Sequence, residues 1–301
     1  MGKKTTLLVT IAILLLVAAG LLYWKKEHAA PRIAAHPRNV VVSAPVASPE
    51  RGAANAQPGT PTAVPAVASS IKKGGAPAGA AFALRAGETL EYAANVTKLN
   101  STIANLQLVT AERRNFYGHN SWHLQAFAHT ENPYRMVFAL DDQFDSYSAA
   151  GDLASLQYEM HLNERGEKVD LVQRMVSAPQ EAAPADASAA RVPAGTRDPL
   201  GLLQYLRGVD WSKTPEIKSA VYDGRKFYEA RAVLVGQGAA VQVPAGKYTA
   251  SKIEIRVYEN AVEMKDAHFL LYLSADAARL PVLLEAVLPV ATARVELSKA
   301  N

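Results

Sequence analysis

Lys252-Ile253-Glu254-Ile255-Arg256-Val257 alternates charged with branched apolar side chains, so Ile253, Ile255 and Val257 share one face and the charges share the other. Period two over such a run is the pattern of a strand with one buried face. The same alternation sets Leu156, Tyr158, Met160 and Leu162 against Gln157, Glu159 and His161. It predicts further strands over 89–97, 101–111, 121–129, 143–149, 168–176, 226–235, 268–273, 282–288 and 291–297. Reversals are marked by Asn163-Glu-Arg-Gly166, by Tyr222-Asp-Gly-Arg225, where Asp-Gly suits the positive φ of a tight turn, and by Val243-Pro-Ala-Gly-Lys247. The period changes once. Asp198-Pro199 supplies an N-cap with proline at the first helical position, Leu200, Leu203, Tyr205 and Leu206 follow, and Gly208 stops the run. An Ala/Pro-rich stretch over 179–195 reads as a loop ahead of this helix. The expected fold class is mainly β, an antiparallel meander curled into a barrel or half-barrel with one short helix.

The start of the chain has a different pattern. Met1-Gly-Lys-Lys4 precedes twenty uncharged residues, Thr5 to Trp24, and Lys25-Lys26 follows. A helix of that length spans about 30 Å, the hydrocarbon thickness of a bilayer, and Tyr23-Trp24 suits its water interface. The expectation is a transmembrane anchor over 1–26, with the membrane as partner through residues 5–24. The rival is a cleaved secretory signal with a core at 7–16 and Val17-Ala18-Ala19 as the cleavage site. Basic residues flank both ends, so the charge rule alone does not orient the helix.

Composition then separates anchor from body. Between residues 28 and 80 stand fifteen alanines and eight of the seventeen prolines, with one acid, Glu50, and no aromatic residue. Such a stretch buries too little apolar surface to offset the entropy of ordering, so 27–81 is expected to be a disordered linker. As a flexible coil it reaches about 40 Å. The remainder, 82–301, has a length suited to one β-rich domain. Absence of cysteine removes disulfides, thiolate metal sites and thiol lipidation from consideration.

Six segments of the body carry a family resemblance in order. Leu84-Arg-Ala-Gly-Glu-Thr-Leu-Glu-Tyr92 is similar to a "GE-x-L-x-Y" opening, and Asp141-Asp-Gln-Phe-Asp-Ser146 to a D-x-F-x-S strand. Arg197-Asp-Pro-Leu200 with Tyr205-Leu-Arg207 resembles a D-P-L…Y-x-R helix. Tyr222-Asp-Gly-Arg-Lys-Phe-Tyr228 resembles a D-G-K-x-Y hairpin, and Val243-Pro-Ala-Gly-Lys-Tyr248 a P-A-G-x-Y turn. Leu273-Ser-Ala-Asp-Ala-Ala-Arg-Leu-Pro-Val282 matches a closing W-L-S-x-D-x-x-R-x-P-V, with Leu271-Tyr272 where tryptophan is usual. These segments resemble the bacterial envelope family DUF3108, a domain of unknown function, over about 82–299. The resemblance implies an exported protein, hence an inner-membrane single-pass chain with its C-terminal domain in the periplasm, or a periplasmic protein if the signal is cleaved. It implies no catalytic residue.

Four charged residues in these segments are candidate ligand contacts: Asp198, Arg207, Asp276 and Arg279. Each has an alternative structural reading, the first pair as helix cap and helix-end charge, the second as braces of a turn ending at Pro281. His119 and His123 are spaced as metal ligands on a strand, but a third ligand is not evident, and no metal or cofactor is expected. Asp141, Asp142 and Asp145 read as acids in a solvated loop lacking the spacing of a calcium site. Gly236-Gln-Gly238 reads as a break between strands, too short to cradle phosphate. Gly-x-Ser-x-Gly and His-Glu-x-x-His are absent, and the charge of +4 is interleaved, which argues against hydrolase motifs and nucleic acid. Three readings follow. The first is a binding module for a lipid or other apolar ligand, the second a scaffold gripping another envelope protein, and the third a hydrolase without a recognisable motif.

Overall fold

Thirteen strands and one α-helix organise residues 82, 84–97, 101–178, 189–287 and 292–301, which the computed structural model describes. The strands are β1 (Glu88–Val96), β2 (Thr102–Phe116), β3 (His119–Thr130), β4 (Asp141–Ala149), β5 (Ser155–Glu164), β6 (Glu167–Ala178) and β7 (Ala190–Pro193). After the helix α1 (Pro199–Gly208) come β8 (Glu216–Tyr222), β9 (Phe227–Val243), β10 (Gly246–Glu259), β11 (Val262–Ser274), β12 (Pro281–Val287) and β13 (Thr292–Ala300). The expected anchor over 1–26 and linker over 27–81 lie outside the described residues. Among the described residues no helix is long and apolar enough to cross a membrane.

All thirteen strands form one sheet in the order β7-β6-β5-β4-β3-β2-β1-β13-β12-β11-β10-β9-β8. The first strand pairs with the last, Tyr92 opposite Leu297 and Val96 opposite Ala293, so the two halves of the meander join at the chain's ends. Alternation carries the curl. Leu90, Tyr92, Ala94 and Val96 of β1 are buried between partly exposed neighbours, as are Ile253, Ile255 and Val257 of β10. The buried faces enclose one apolar core. The barrel is nearly closed, and residues 196–197 stitch its seam. The Ser155 amide donates to the Thr196 carbonyl at 2.9 Å, the Arg197 amide to Ala220 at 3.0 Å, and the Tyr222 amide to Arg197 at 2.9 Å.

Three expectations need correction. The loop over 179–195 contains β7, which pairs parallel with β6, the one parallel pair in an otherwise antiparallel sheet. The reversal at 222–225 implies a strand before it that the alternation does not delimit; it is β8, with Ile217, Ser219 and Val221 buried on one face. Gly236 and Gly238 do not separate strands. They lie within β9, where the pairing with β10 slips on both sides of Lys252 and Gly238 takes φ +70°. Glycine there lets one long strand bend rather than end. Asp141, Asp142 and Asp145 stand on β4 and not in a loop, with Asp142 opposite Ala128 and Asp145 opposite Gln125. Asp142 therefore faces the opposite side of the sheet from Asp141 and Asp145, which breaks up the acid cluster.

Candidate functional site

Helix α1 is apolar on nearly every side, a pattern that belongs inside a protein. Pro199, Leu200, Gly201, Leu202, Gln204, Tyr205, Leu206, Arg207 and Gly208 are all buried, and the helix packs on β3, β4 and β8. Its fit is close at both ends. A Cβ on Gly201 would lie 2.9 Å from Ser148 Oγ and 3.1 Å from the Leu153 carbonyl, and one on Gly208 would lie 2.3 Å from Phe82 Cδ1. Beneath Leu203 remains an apolar cavity of about 30 Å³ lined by Tyr92, Leu106, Leu108, Leu271, Pro281, Leu284 and Val295. The Tyr92 hydroxyl is buried and meets no partner among the described residues. Burial holds it protonated well above the usual phenol range.

Polar groups fasten this apolar helix at both ends. At the N-terminus Asp198 Oδ1 accepts the Gly201 amide at 2.8 Å, while Ser146 and Ser155 hydroxyls each donate to Oδ2 at 2.5 Å. Ser155 Oγ in turn accepts the Asp198 amide at 2.7 Å. Burial pushes the Asp198 carboxyl above its ordinary value, and these donors only partly oppose it. Next to it Arg197 is buried, with no carboxylate among the described residues paired to it. Its guanidinium donates to the Asp152 carbonyl at 2.7 Å, the Gly195 carbonyl at 3.0 Å and Ser219 Oγ at 3.1 Å, and lies 3.6 Å above the Tyr205 ring. A guanidinium tolerates such a site because it is weakly hydrated and stacks on aromatic faces.

At the other end Arg207 pairs with Glu88 through both terminal nitrogens at 2.6 and 3.1 Å, and donates to Gln204 Oε1 at 2.7 Å and the Ala278 carbonyl at 3.1 Å. Arg207 is 1% exposed and Glu88 9%, and leaving either alone would strand a buried charge at a cost of about 3–5 kcal/mol. Arg279 Nη1 donates to the Val209 carbonyl at 2.8 Å and the Arg207 carbonyl at 3.4 Å, taking up acceptors that every helix leaves free at its end. Asp276 Oδ1 accepts Ser274 Oγ at 3.0 Å, the Ala278 amide at 2.9 Å and the Arg279 amide at 3.2 Å, which shapes the β11–β12 loop that carries Arg279.

All four candidate residues thus converge on α1: Asp198 at its start, Arg207 and Arg279 at its end, Asp276 behind Arg279. Glu88, Ser146 and Ser155 complete the two fastenings and were not among the candidates. Glu88 and Ser146 stand in the quoted "GE-x-L-x-Y" and D-x-F-x-S segments, whereas Ser155 carries no signal in the sequence. The groups are aimed at one another, so the arrangement holds a helix in place and presents no open nucleophile. The histidines do not assemble with it. His123 Nε2 meets Asp145 Oδ1 at 2.7 Å and its ring stacks on Tyr147, while His129 pairs with Glu131 at 3.1 Å. No three acidic or histidine side chains among the described residues are grouped to hold a metal ion.

A family model described as "Protein of unknown function (DUF3108)" matches residues 91–298. Among solved structures, the chain is similar to a beta-barrel-like protein of domain of unknown function DUF1849 from Brucella abortus, at 11% identity and a TM-score of 0.45, over 72% of this chain and 97% of that one. It is also similar to the hypothetical protein CT021 from Chlamydia trachomatis, at 6% identity and a TM-score of 0.35, over 72% of this chain and 87% of that one. No curated protein matches.

Proposed function

The chain belongs to the DUF3108 family of proteins of unknown function, and from that premise we propose that it is a non-enzymatic binding module for an apolar envelope ligand, whose site is the space α1 occupies. The observation that carries this reading is the construction of α1. It is an apolar plug resting above an apolar cavity, and its principal fastenings are polar groups at its two ends. Ten residues of helix with their side chains fill roughly 1,000 Å³, and their departure would open a space in the range of small-molecule pockets. A lipid or other long apolar molecule suits such a lining, with the Tyr92 hydroxyl at the cavity and Glu88, Ser146 and Ser155 at its ends as polar contacts. The uncharged run at 5–24 would hold the module on the periplasmic side of the inner membrane, or be removed to leave it free in the periplasm.

One observation favours a second reading, a scaffold that grips another envelope protein. With α1 seated the cavity holds about 30 Å³, enough for a water molecule and far below the several hundred Å³ of a ligand pocket. The two are separated by purifying the chain from its native envelope without denaturant and analysing the extract by mass spectrometry. Stoichiometric co-purifying lipid, retained through washing, supports the binding module. A chain that emerges without lipid and stays empty when offered envelope lipid extract supports the scaffold.

A further inference from the structure

The hairpin joining β2 to β3 overshoots its neighbours. β1 begins at Glu88 opposite Thr110, so β2 outruns it from residue 111 on, and β4 ends at Ala149 opposite Ser121, so residues 115–120 lie past both neighbouring strands. The sequence of this end of the hairpin is Glu112-Arg-Arg-Asn-Phe-Tyr-Gly-His-Asn120. Its two-residue turn places Tyr117 at φ +48° and Gly118 at φ +81°. Asn, Asp or Gly is favoured at the first of these positions, and a bulky ring is strained there. Yet Tyr117 holds that position with 58% of its surface exposed.

Rings and guanidiniums gather behind the turn. Phe116 meets the Tyr117 ring edge-on at 4.7 Å and stacks on Tyr147 at 4.0 Å. The Arg174 guanidinium lies 4.0 Å from the Tyr117 centroid, Arg114 6.0 Å from that of Tyr147, and Arg113 5.2 Å from that of Trp122. Arg174 thus lies against the tip itself, with Arg114 and Arg113 just behind it on opposite faces of the hairpin. One carboxylate within the hairpin, Glu112, opposes them, at 3.3 Å from Arg114 with both side chains about half exposed. An exposed pair of that kind is weak and readily exchanged for another anion.

The rim from which the hairpin projects is also where the chain enters the barrel, since Glu88 opens β1 there, and it is where Glu88 meets the end of α1. The uncharged run at 5–24 lies upstream of that entry, and as a membrane span it would put a bilayer on the side from which the chain reaches this rim. We propose that the hairpin tip docks on a bilayer surface bearing anionic headgroups. Its guanidiniums pair with lipid phosphates, and Tyr117 and Phe116 enter the interfacial layer. Tyrosine favours that layer, and clustered arginines are drawn to anionic leaflets. The inference takes the membrane from the 5–24 segment and does not depend on any ligand in the lumen.

The test reconstitutes the full chain into nanodiscs of phosphatidylcholine alone or with added phosphatidylglycerol, and follows amide hydrogen exchange of residues 112–120. The expected result is exchange slowed about fivefold or more by phosphatidylglycerol, restored by high salt and by Arg113→Glu with Arg114→Glu. Equal exchange in both nanodiscs overturns the proposal, as does slowing that survives the charge reversal. Slowing in phosphatidylcholine nanodiscs on addition of a soluble anionic polysaccharide, where phosphatidylglycerol gives none, also overturns it and assigns the tip to a glycan instead.

Discussion

Asp142 faces the core from β4 with 3% of its surface exposed; Oδ1 accepts the Asn163 amide at 2.8 Å, and Oδ2 meets no partner among the described residues. Burial raises its carboxyl from 3.8 to about 7, with Glu164 adding a smaller push. Asp145, three residues on and pointing the other way, is held below its ordinary value. Burial there would raise it, but hydrogen bonds from His123, Gln125 and Gln143 outweigh the burial. One residue type on one strand is thus tuned in opposite directions by its donors. For Asp142 the unfolded chain releases the proton near 3.8 while the folded chain keeps it to about 7, so unfolding is linked to proton loss across that window. Stability contributed by the group is therefore complete below the lower value and declines as pH rises toward the upper one, at about 1.4 kcal/mol per pH unit at most. Asp142→Asn is expected to lose that slope. Chemical denaturation of both proteins between these limits checks it, and parallel pH profiles would refute the assignment.

At the scale of the element, α1 separates what is legible in a sequence from what is not. Asp198, Pro199 and Gly208 mark its ends by local chemistry alone, and the helix forms between them as expected. How it is seated is not legible, because that depends on Glu88, Ser146 and Ser155, which reach it only after the barrel has closed. Gly201 makes the same point. Replacing a glycine inside a helix by alanine ordinarily favours the helix by about 1 kcal/mol. Here the added methyl meets the Leu153 carbonyl and Ser148, so Gly201→Ala is expected to destabilise the fold by about 1–3 kcal/mol. The denaturant midpoint reads the sign, and a raised midpoint would show that the wall yields to the helix.

At the scale of the whole molecule, the described residues form a nearly closed barrel whose strands are mostly readable, because each buries one face and exposes the other. What escaped was what depends on closure. β7 is four residues long and exists by pairing with β6, and β8 lies where Arg197 bridges the seam. The end of the β2–β3 hairpin escaped too, since β2 loses the alternation that identifies a strand once it outruns β1. Nor does alternation say whether a barrel holds a ligand or its own side chains, and here the chain supplies the filling. The central claim is that this filling can leave. Native-state hydrogen exchange of the α1 amides, measured against those of β2, β3 and β10, tests it most directly. If α1 is a displaceable plug, residues 202–208 will exchange together through an opening of lower free energy than global unfolding, and a long-chain amphiphile will change their protection while leaving the strands as they were. Exchange of α1 only through global unfolding, with or without the amphiphile, would contradict the claim.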